Sequence, residues 1–347
     1  MAAPAAADAT PVGPAVPAAR PRRRHRALRR LAVRGPQYLL IVLVAASANF
    51  ALPRMMPGNP VDLLLGEDAN RLPPETIADE LARVGLDQPL VVQYGRYMAG
   101  LARGELGCSF RHRKPVSTLL RERLPWTLLL VGTALVVSTV LGVALAALAA
   151  WRRGRRRDTG SIALFTFLES TPPFWIGLLL LIWFAATLRW FPLFGHMSLD
   201  RTTGLARVGD IAHHLVLPAA TLVLSSVGAV FLLARASLLG VIRDDYVLVA
   251  RAKGLRERTI AVRHALPAAS LPIATSVLLR VGALAGGAVI IERVFTYRGV
   301  GSLLLEASFG RDYPLLQGGL FVLTVIVVGA NLVGDLIYPR LDPRVQR

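Results

Sequence analysis

The sequence predicts an all-α polytopic membrane protein with six transmembrane helices and a small extracytoplasmic region after the first. Three observations predict it. Hydrophobic residues make up 54% of the 347-residue chain. Six stretches are mainly apolar over about the 20 residues that a helix needs to cross a bilayer. Lysine and arginine are shared unequally among the segments that join those stretches.

Residues 1–36 are rich in Ala and Pro, then in Arg (Arg20, Arg22, Arg23, Arg24, Arg26, Arg29, Arg30, Arg34). That composition buries no core and reads as a disordered basic tail. Its arginines suit contact with anionic membrane lipid. A cleaved signal peptide is the rival reading, because the apolar run and Ala46-Ser47-Ala48 mimic one. Cutting there would leave the first span, residues 37–53, too short.

Residues 54–123 form a long external segment, in which Leu81, Val84, Leu90, Val91, Tyr94 and Met98 suggest short amphipathic helices. A five-helix transmembrane core follows over 124–339. Its spans lie within Leu124–Trp151, which carries no charge, and at about Ser161–Phe184, Ile211–Ala234, Leu271–Ile291 and Leu315–Tyr338. Pro172-Pro173 must kink or break the third span, and Pro218 bends the fourth early. Residues 340–347 are a short tail.

Charge sets the orientation. The N-terminal tail, residues 151–158, residues 241–264 and the tail after Tyr338 together hold 22 Lys and Arg against 6 acidic residues. The other three connecting segments hold 16 against 14. An even number of spans puts both termini on one side, and the basic set marks the cytoplasm. The chain is therefore expected to cross its membrane several times, with both termini cytoplasmic. A net charge of +18 would also suit nucleic acid. The apolar spans make orientation the better explanation, so no nucleic-acid partner is expected.

Several chemistries are missing. The chain has two lysines, Lys114 and Lys253, and neither sits in a phosphate-cradling Walker A loop. Neither His-Glu-x-x-His nor Gly-x-Ser-x-Gly occurs. Cys108 is the single cysteine, so no intrachain disulfide or cysteine metal cluster can form. His213 and His214 are adjacent and cannot share one helical face. No enzyme activity, metal site or cofactor is expected in this chain, and any ATP must be bound elsewhere.

One polar segment, residues 241–267, separates the fourth span from the fifth. It begins Asp244-Asp245-Tyr246-Val247-Leu248-Val249-Ala250-Arg251-Ala252-Lys253-Gly254 and runs on to Arg263-His264-Ala265-Leu266-Pro267. Val247, Ala250 and Gly254 fall at helical spacing, Gly254 is a helix stop, and Leu266-Pro267 should end a second short helix. Two such helices at the cytoplasmic face suit a socket for a partner protein, whereas a basic helix lying on the membrane surface is the plainer reading.

Ala250, Gly254, Leu266 and Pro267 have the spacing of a signature loop, and further motifs follow the same order along the chain. They are Met56-Pro57-Gly58-Asn59-Pro60, Leu124-Pro125-Trp126-Thr127, Ser170-Thr171-Pro172-Pro173, Glu292-Arg293-Val294-Phe295, Gly299-Val300-Gly301 and Arg311-Asp312-Tyr313-Pro314. On these residues the chain resembles the permease subunits of binding-protein-dependent ABC importers, in the dipeptide/oligopeptide/nickel branch. The opening Glu of that family's loop is replaced by Leu248. The resemblance implies a peptide permease, with import of nickel or glycosides as alternatives inside the branch. It implies a second, similar permease, two ATPase subunits that hold ATP and Mg, and an extracytoplasmic solute-binding protein. It implies that Tyr246, Ala250, Arg251, Lys253, Gly254, Leu266 and Pro267 form the ATPase-coupling loop.

Charges within a span are expensive and face a cavity or a partner. Glu169, Arg280 and Asp335 are such residues. Arg280 precedes Gly282-Ala283-Leu284-Ala285-Gly286, a face of small residues that lets helices approach closely. Glu169, Arg280, Gly286 and Gly287 are therefore the candidates for lining a path, with Arg280 meeting a substrate carboxylate or Glu169, and a static ion pair as the alternative. Asp335 is expected to anchor the end of its helix. Readings from other classes are an ion-gradient carrier, which would show an internal repeat, and a membrane scaffold without transport.

Overall fold

The computed structural model describes residues 23–55, 73, 75, 87–151, 154, 156–198 and 203–341. Helices dominate. In chain order they are α1 (Arg23–Met55), α2 (Leu90–Arg103), α3 (Val116–Ala150), α4 (Arg156–Ser170), α5 (Pro173–Leu180), α6 (Gly204–Val241), α7 (Asp245–Ala252), α8 (Glu257–Ile260), α9 (Leu266–Val294), α10 (Val300–Phe309) and α11 (Tyr313–Leu341). Among the described residues, α3, α6, α11 and the unit of α8 with α9 are long and apolar enough to cross a membrane. The bent pair α4–α5 makes a fifth such unit when counted as one span. The apolar run 37–53 lies inside α1, which packs along α11.

α6 is the hub. Its most apolar stretch is 67% buried, against 28% for α3 and 11% for α11, so the bundle is organised around this one helix. α3, α4, α5 and α9 all pack on it. Leu222, Val227, Phe231, Ala234 and Leu238 point into two clusters that run its length. Close approach is built in where side chains vanish. A Cβ at Gly228 would overlap the carbonyl oxygen of Phe165 on α4.

Proline makes one bend and spares two other sites where a bend or break is expected. α4 stops at Ser170 and α5 starts at Pro173, bent by 99°, as Pro172-Pro173 requires. Pro218 lies inside an unbroken α6. The break expected at Leu266-Pro267 is absent. α8 passes through a π-helical turn, Ala261–Ala265, directly into α9 with Pro267 in its first turn. Proline is tolerated in a first turn, where its missing N–H lacks no helical acceptor, and the widened turn just before it absorbs the mismatch.

The basic tail also differs from expectation. α1 begins at Arg23, so residues 23–36 are helical rather than disordered. Arg, Ala and Leu are strong helix formers, and a helix already held by the apolar run extends cheaply into them. Residues 1–22 and 342–347, with Leu81 and Val84 of the external segment, lie outside the described residues. α2 carries Leu90, Val91, Tyr94 and Met98 as a single amphipathic helix.

Candidate functional site

At the end of the bundle where α3 finishes and α9 starts, α7 and α8 form a hairpin with a core of its own. Val247, Ala250 and Ile260 are buried there, sealed by Trp151 from the end of α3 and by Val241 from the end of α6. Gly254 adopts φ +75°, a left-handed conformation that suits glycine and ends α7. The Leu255 N–H donates to the Ala250 carbonyl at 3.3 Å and the Gly254 N–H to the Arg251 carbonyl at 2.9 Å, which closes the helix end.

Polar contacts tie the hairpin to the bundle. The Arg251 guanidinium donates to both carboxylate oxygens of Glu257, at 2.8 and 3.3 Å. The Trp151 indole N–H donates to Glu257 at 2.7 Å. Beside it, Arg235 of α6 makes a two-pronged pair with buried Asp158 of α4, at 2.8 and 2.7 Å. The hairpin is thus joined to α3 and α6 by packing and to α9 by continuous helix.

The expected coupling residues divide between two faces. Ala250 points inward. Tyr246 and Lys253 are exposed, Arg251 is spent on Glu257, and Leu266 and Pro267 open α9. The outward face also carries Leu248, Val249, Leu255 and Val262, which are 39 to 57% exposed. That many bare apolar side chains on so short and charged a segment mark a contact surface. Leu248 was noted in the sequence only as a replacement for the family's Glu, and Val249, Leu255, Val262, Trp151 and Glu257 were not singled out. The uncharged run Tyr246–Ala250, too long for the hairpin's three-residue core to bury, is the signal that could have found the outward face.

The candidate path residues lie along α9. Arg280 is half-buried, borders a cavity of about 590 Å³ with Leu233, Pro272, Thr275, Leu279 and Ala283, and has a buried Nε without a hydrogen-bond partner. Glu169 acts on it electrostatically, but the two close no ion pair. Gly286 lines a second cavity, about 610 Å³, between α1, α9, α10 and α11. Gly287 faces the opposite way, toward Leu222 of α6. Asp335 bonds Tyr38 at 2.7 Å and pairs with Arg34, so it ties α11 to α1 rather than serving its own helix end.

At the far end of α9 two buried carboxylates organise the loops. Glu292 is fully buried. It accepts from the Thr127 hydroxyl at 2.7 Å and from the Ser302 N–H at 2.8 Å, at the start of α10, where a helix favours negative charge. Thr127 in turn accepts the Val300 N–H at 2.8 Å. Gly299 leaves room for the carboxylate, which a Cβ there would overlap. Asp312, 1% exposed, accepts from the Ser109 hydroxyl, from the Phe110 and Arg111 N–H groups, and from the Leu315 N–H of α11. Next to them, His196 stacks edge-on against Trp126 at 4.4 Å. Burial, reinforced by Arg298 and Arg123, pushes its pKa down to about 4, so it is neutral at physiological pH. His213 and His214 bond backbone carbonyls, and no cluster that could hold a metal occurs among the described residues.

Comparison with known proteins matches two family models. Residues 142–347 match the binding-protein-dependent transport system inner membrane component, and residues 27–131 match the N-terminal model of the same kind of system. The dipeptide transport system permease protein DppB of Escherichia coli (strain K12) is 34% identical over 337 residues, covering 92% of this chain and 98% of that protein. The di/tripeptide transport system permease protein DppB of Pseudomonas aeruginosa (strain UCBPP-PA14) is 34% identical over 333 residues, covering 92% and 97%. Among solved structures, a chain of the inward-facing MetNI methionine ABC transporter superposes with a TM-score of 0.53 at 16% identity. The match covers 65% of this chain and 96% of that one, and it shows a shared fold.

Proposed function

The chain belongs to the family of binding-protein-dependent transport system inner membrane components, which makes it a multi-pass inner-membrane protein, and from that premise we propose that it is the permease subunit of an ATP-driven importer of di- or oligopeptides. The observation that carries the proposal is the α7–α8 hairpin. It buries Val247, Ala250 and Ile260 against Trp151 and Val241 while leaving Tyr246, Val249 and Leu255 bare. A rigid hairpin with an apolar outer face receives a push from a partner and passes it to α3, α6 and α9. The partners are two ATPase subunits, which bind ATP and Mg because this chain has no Walker A loop. A second homologous permease completes the path, and a solute-binding protein delivers the cargo outside. The peptide class rests on the printed names of the relatives.

In this reading both termini and the hairpin are cytoplasmic, in keeping with the charge asymmetry. Glu169 and Arg280 border the path, and the unpartnered Arg280 Nε meets a substrate carboxylate, whereas Gly287, turned toward Leu222 of α6, and Gly286, in the separate cavity against α11, lie apart from it. The test is uptake of a labelled dipeptide into proteoliposomes that hold the complete complex. The expected result is accumulation that requires ATP and binding protein. Accumulation driven by an ion gradient without ATPase subunits would contradict the proposal, as would transport of nickel or glycosides alone.

A further inference from the structure

A small cationic loop stands at the end of the molecule opposite the hairpin. Residues 109–114 are closed at their base by a β-bridge between Cys108 and Pro115, and within by the Ser109 N–H donating to the Lys114 carbonyl at 2.9 Å. Asp312 locks the loop from beneath through Ser109, Phe110 and Arg111. Arg111 lies against the α10–α11 turn at Gly310, where a Cβ would come 3.1 Å from its guanidinium. That turn presents Arg311, and beside it Phe309 is 82% exposed. Arg111, Arg113, Lys114 and Arg311 are all exposed, and among the described residues none of them pairs with a carboxylate.

This arrangement runs against the general pattern of the chain. Basic residues are otherwise concentrated on the side assigned to the cytoplasm, yet three of the four residues 111–114 are Arg or Lys. Two properties separate the loop from a lipid-headgroup contact. It is held by a buried carboxylate, whereas side chains that meet headgroups need no fixed backbone. It also stands clear of the apolar layer. α3 becomes uncharged at Leu124, and Val116 lies eight residues earlier. At 1.5 Å per residue that places the loop about 12 Å beyond the start of the uncharged stretch, where the headgroup region is about 5–7 Å deep. An exposed aromatic on a turn that adjoins a backbone-anchored cationic loop is the anatomy of a protein contact.

We propose that Arg111, Arg113, Lys114 and Arg311, with the exposed Phe309 of the adjoining α10–α11 turn, dock an acidic face of the solute-binding protein on the external side. The inference rests on the importer reading. It adds the docking element and the sign of charge the partner must carry. The charges act mainly on encounter, so they set how much binding protein is needed and leave the chemistry of ATP hydrolysis to other chains.

The test uses the complete transport complex in nanodiscs of neutral lipid, titrated with the peptide-loaded binding protein of the same system while ATP hydrolysis is followed. In Arg113→Glu and Lys114→Glu variants, the binding-protein concentration for half-maximal stimulation should rise about tenfold at low salt, and much of the difference should vanish near 0.5 M salt. Arg113→Lys should keep the wild-type value. Co-purification of the ATPase subunits with each variant verifies assembly. An unchanged half-maximal concentration overturns the proposal, as does a change seen only when anionic lipid is added, which assigns the loop to the membrane. If the wild-type complex shows no stimulation at all, the importer reading itself fails.

Discussion

The two ends of the bundle are held by different physics. At the end away from the α7–α8 hairpin the anchors of the loops are buried: Glu292 and Asp312, at 0 and 1% exposure, have their oxygens taken up by backbone N–H groups and hydroxyls. In the α7–α8 hairpin Glu257, 52% exposed, holds Arg251 and Trp151 at the surface, over a core of three residues, and the buried Asp158–Arg235 pair lies beneath it in the bundle. A buried, satisfied carboxylate is costly to disturb, whereas a surface ion pair contributes little. The difference teaches that the α9–α10 end is a finished frame and the hairpin is a joint, stable enough to keep its shape and lightly held at its surface.

Mutations at the two ends should therefore differ in size and in kind. The largest effect is expected for Glu292→Ala. It orphans the Thr127 hydroxyl and the donors at the head of α10, for a loss of roughly 3–5 kcal/mol, read as poor yield and a lower melting temperature in detergent. A normal melting temperature would dissolve the contrast. Asp312→Ala should come next, at about 2–3 kcal/mol, with the loop 109–114 becoming a protease-sensitive site in an otherwise folded chain. Gly254→Ala forces a side chain into φ +75° and should cost about 1 kcal/mol. Glu257→Ala should barely move the melting temperature, by less than about 1 kcal/mol. It should nevertheless lower dipeptide uptake more than ATP hydrolysis, because the joint loses its tie to α3. Equal losses in uptake and hydrolysis would mean that Glu257 does no more than hold the hairpin in place.

Much of the frame was legible in the sequence because hydrophobic runs are local signals. Gly254 as a helix stop and Pro172-Pro173 as a break were legible for the same reason: each acts on its own backbone. Leu266-Pro267 misled, because a π turn just upstream can absorb a first-turn proline, and no local pattern announces one. Glu292 and Asp312 stood in recognisable motifs, yet their roles were hidden. Their partners Thr127 and Ser109 lie 165 and 203 residues away, and only the folded chain brings them together. Arg280 and Glu169 were read as potential partners, and the structure leaves their ion pair open. Of the expected coupling residues, Ala250 turned inward because small residues at that spacing serve the hairpin's own core.

The claim beneath all of this is that the hairpin faces the cytoplasm, where ATPase subunits can reach it. Cys108, the single cysteine, is exposed beside the outer loop and supplies an internal reference. A membrane-impermeant maleimide applied to spheroplasts should label Cys108 in the native chain. In a Cys108→Ser chain carrying Arg256→Cys, the same reagent should label only after the membrane is permeabilised. Labelling of position 256 from the outside of sealed spheroplasts would invert the topology and contradict the account.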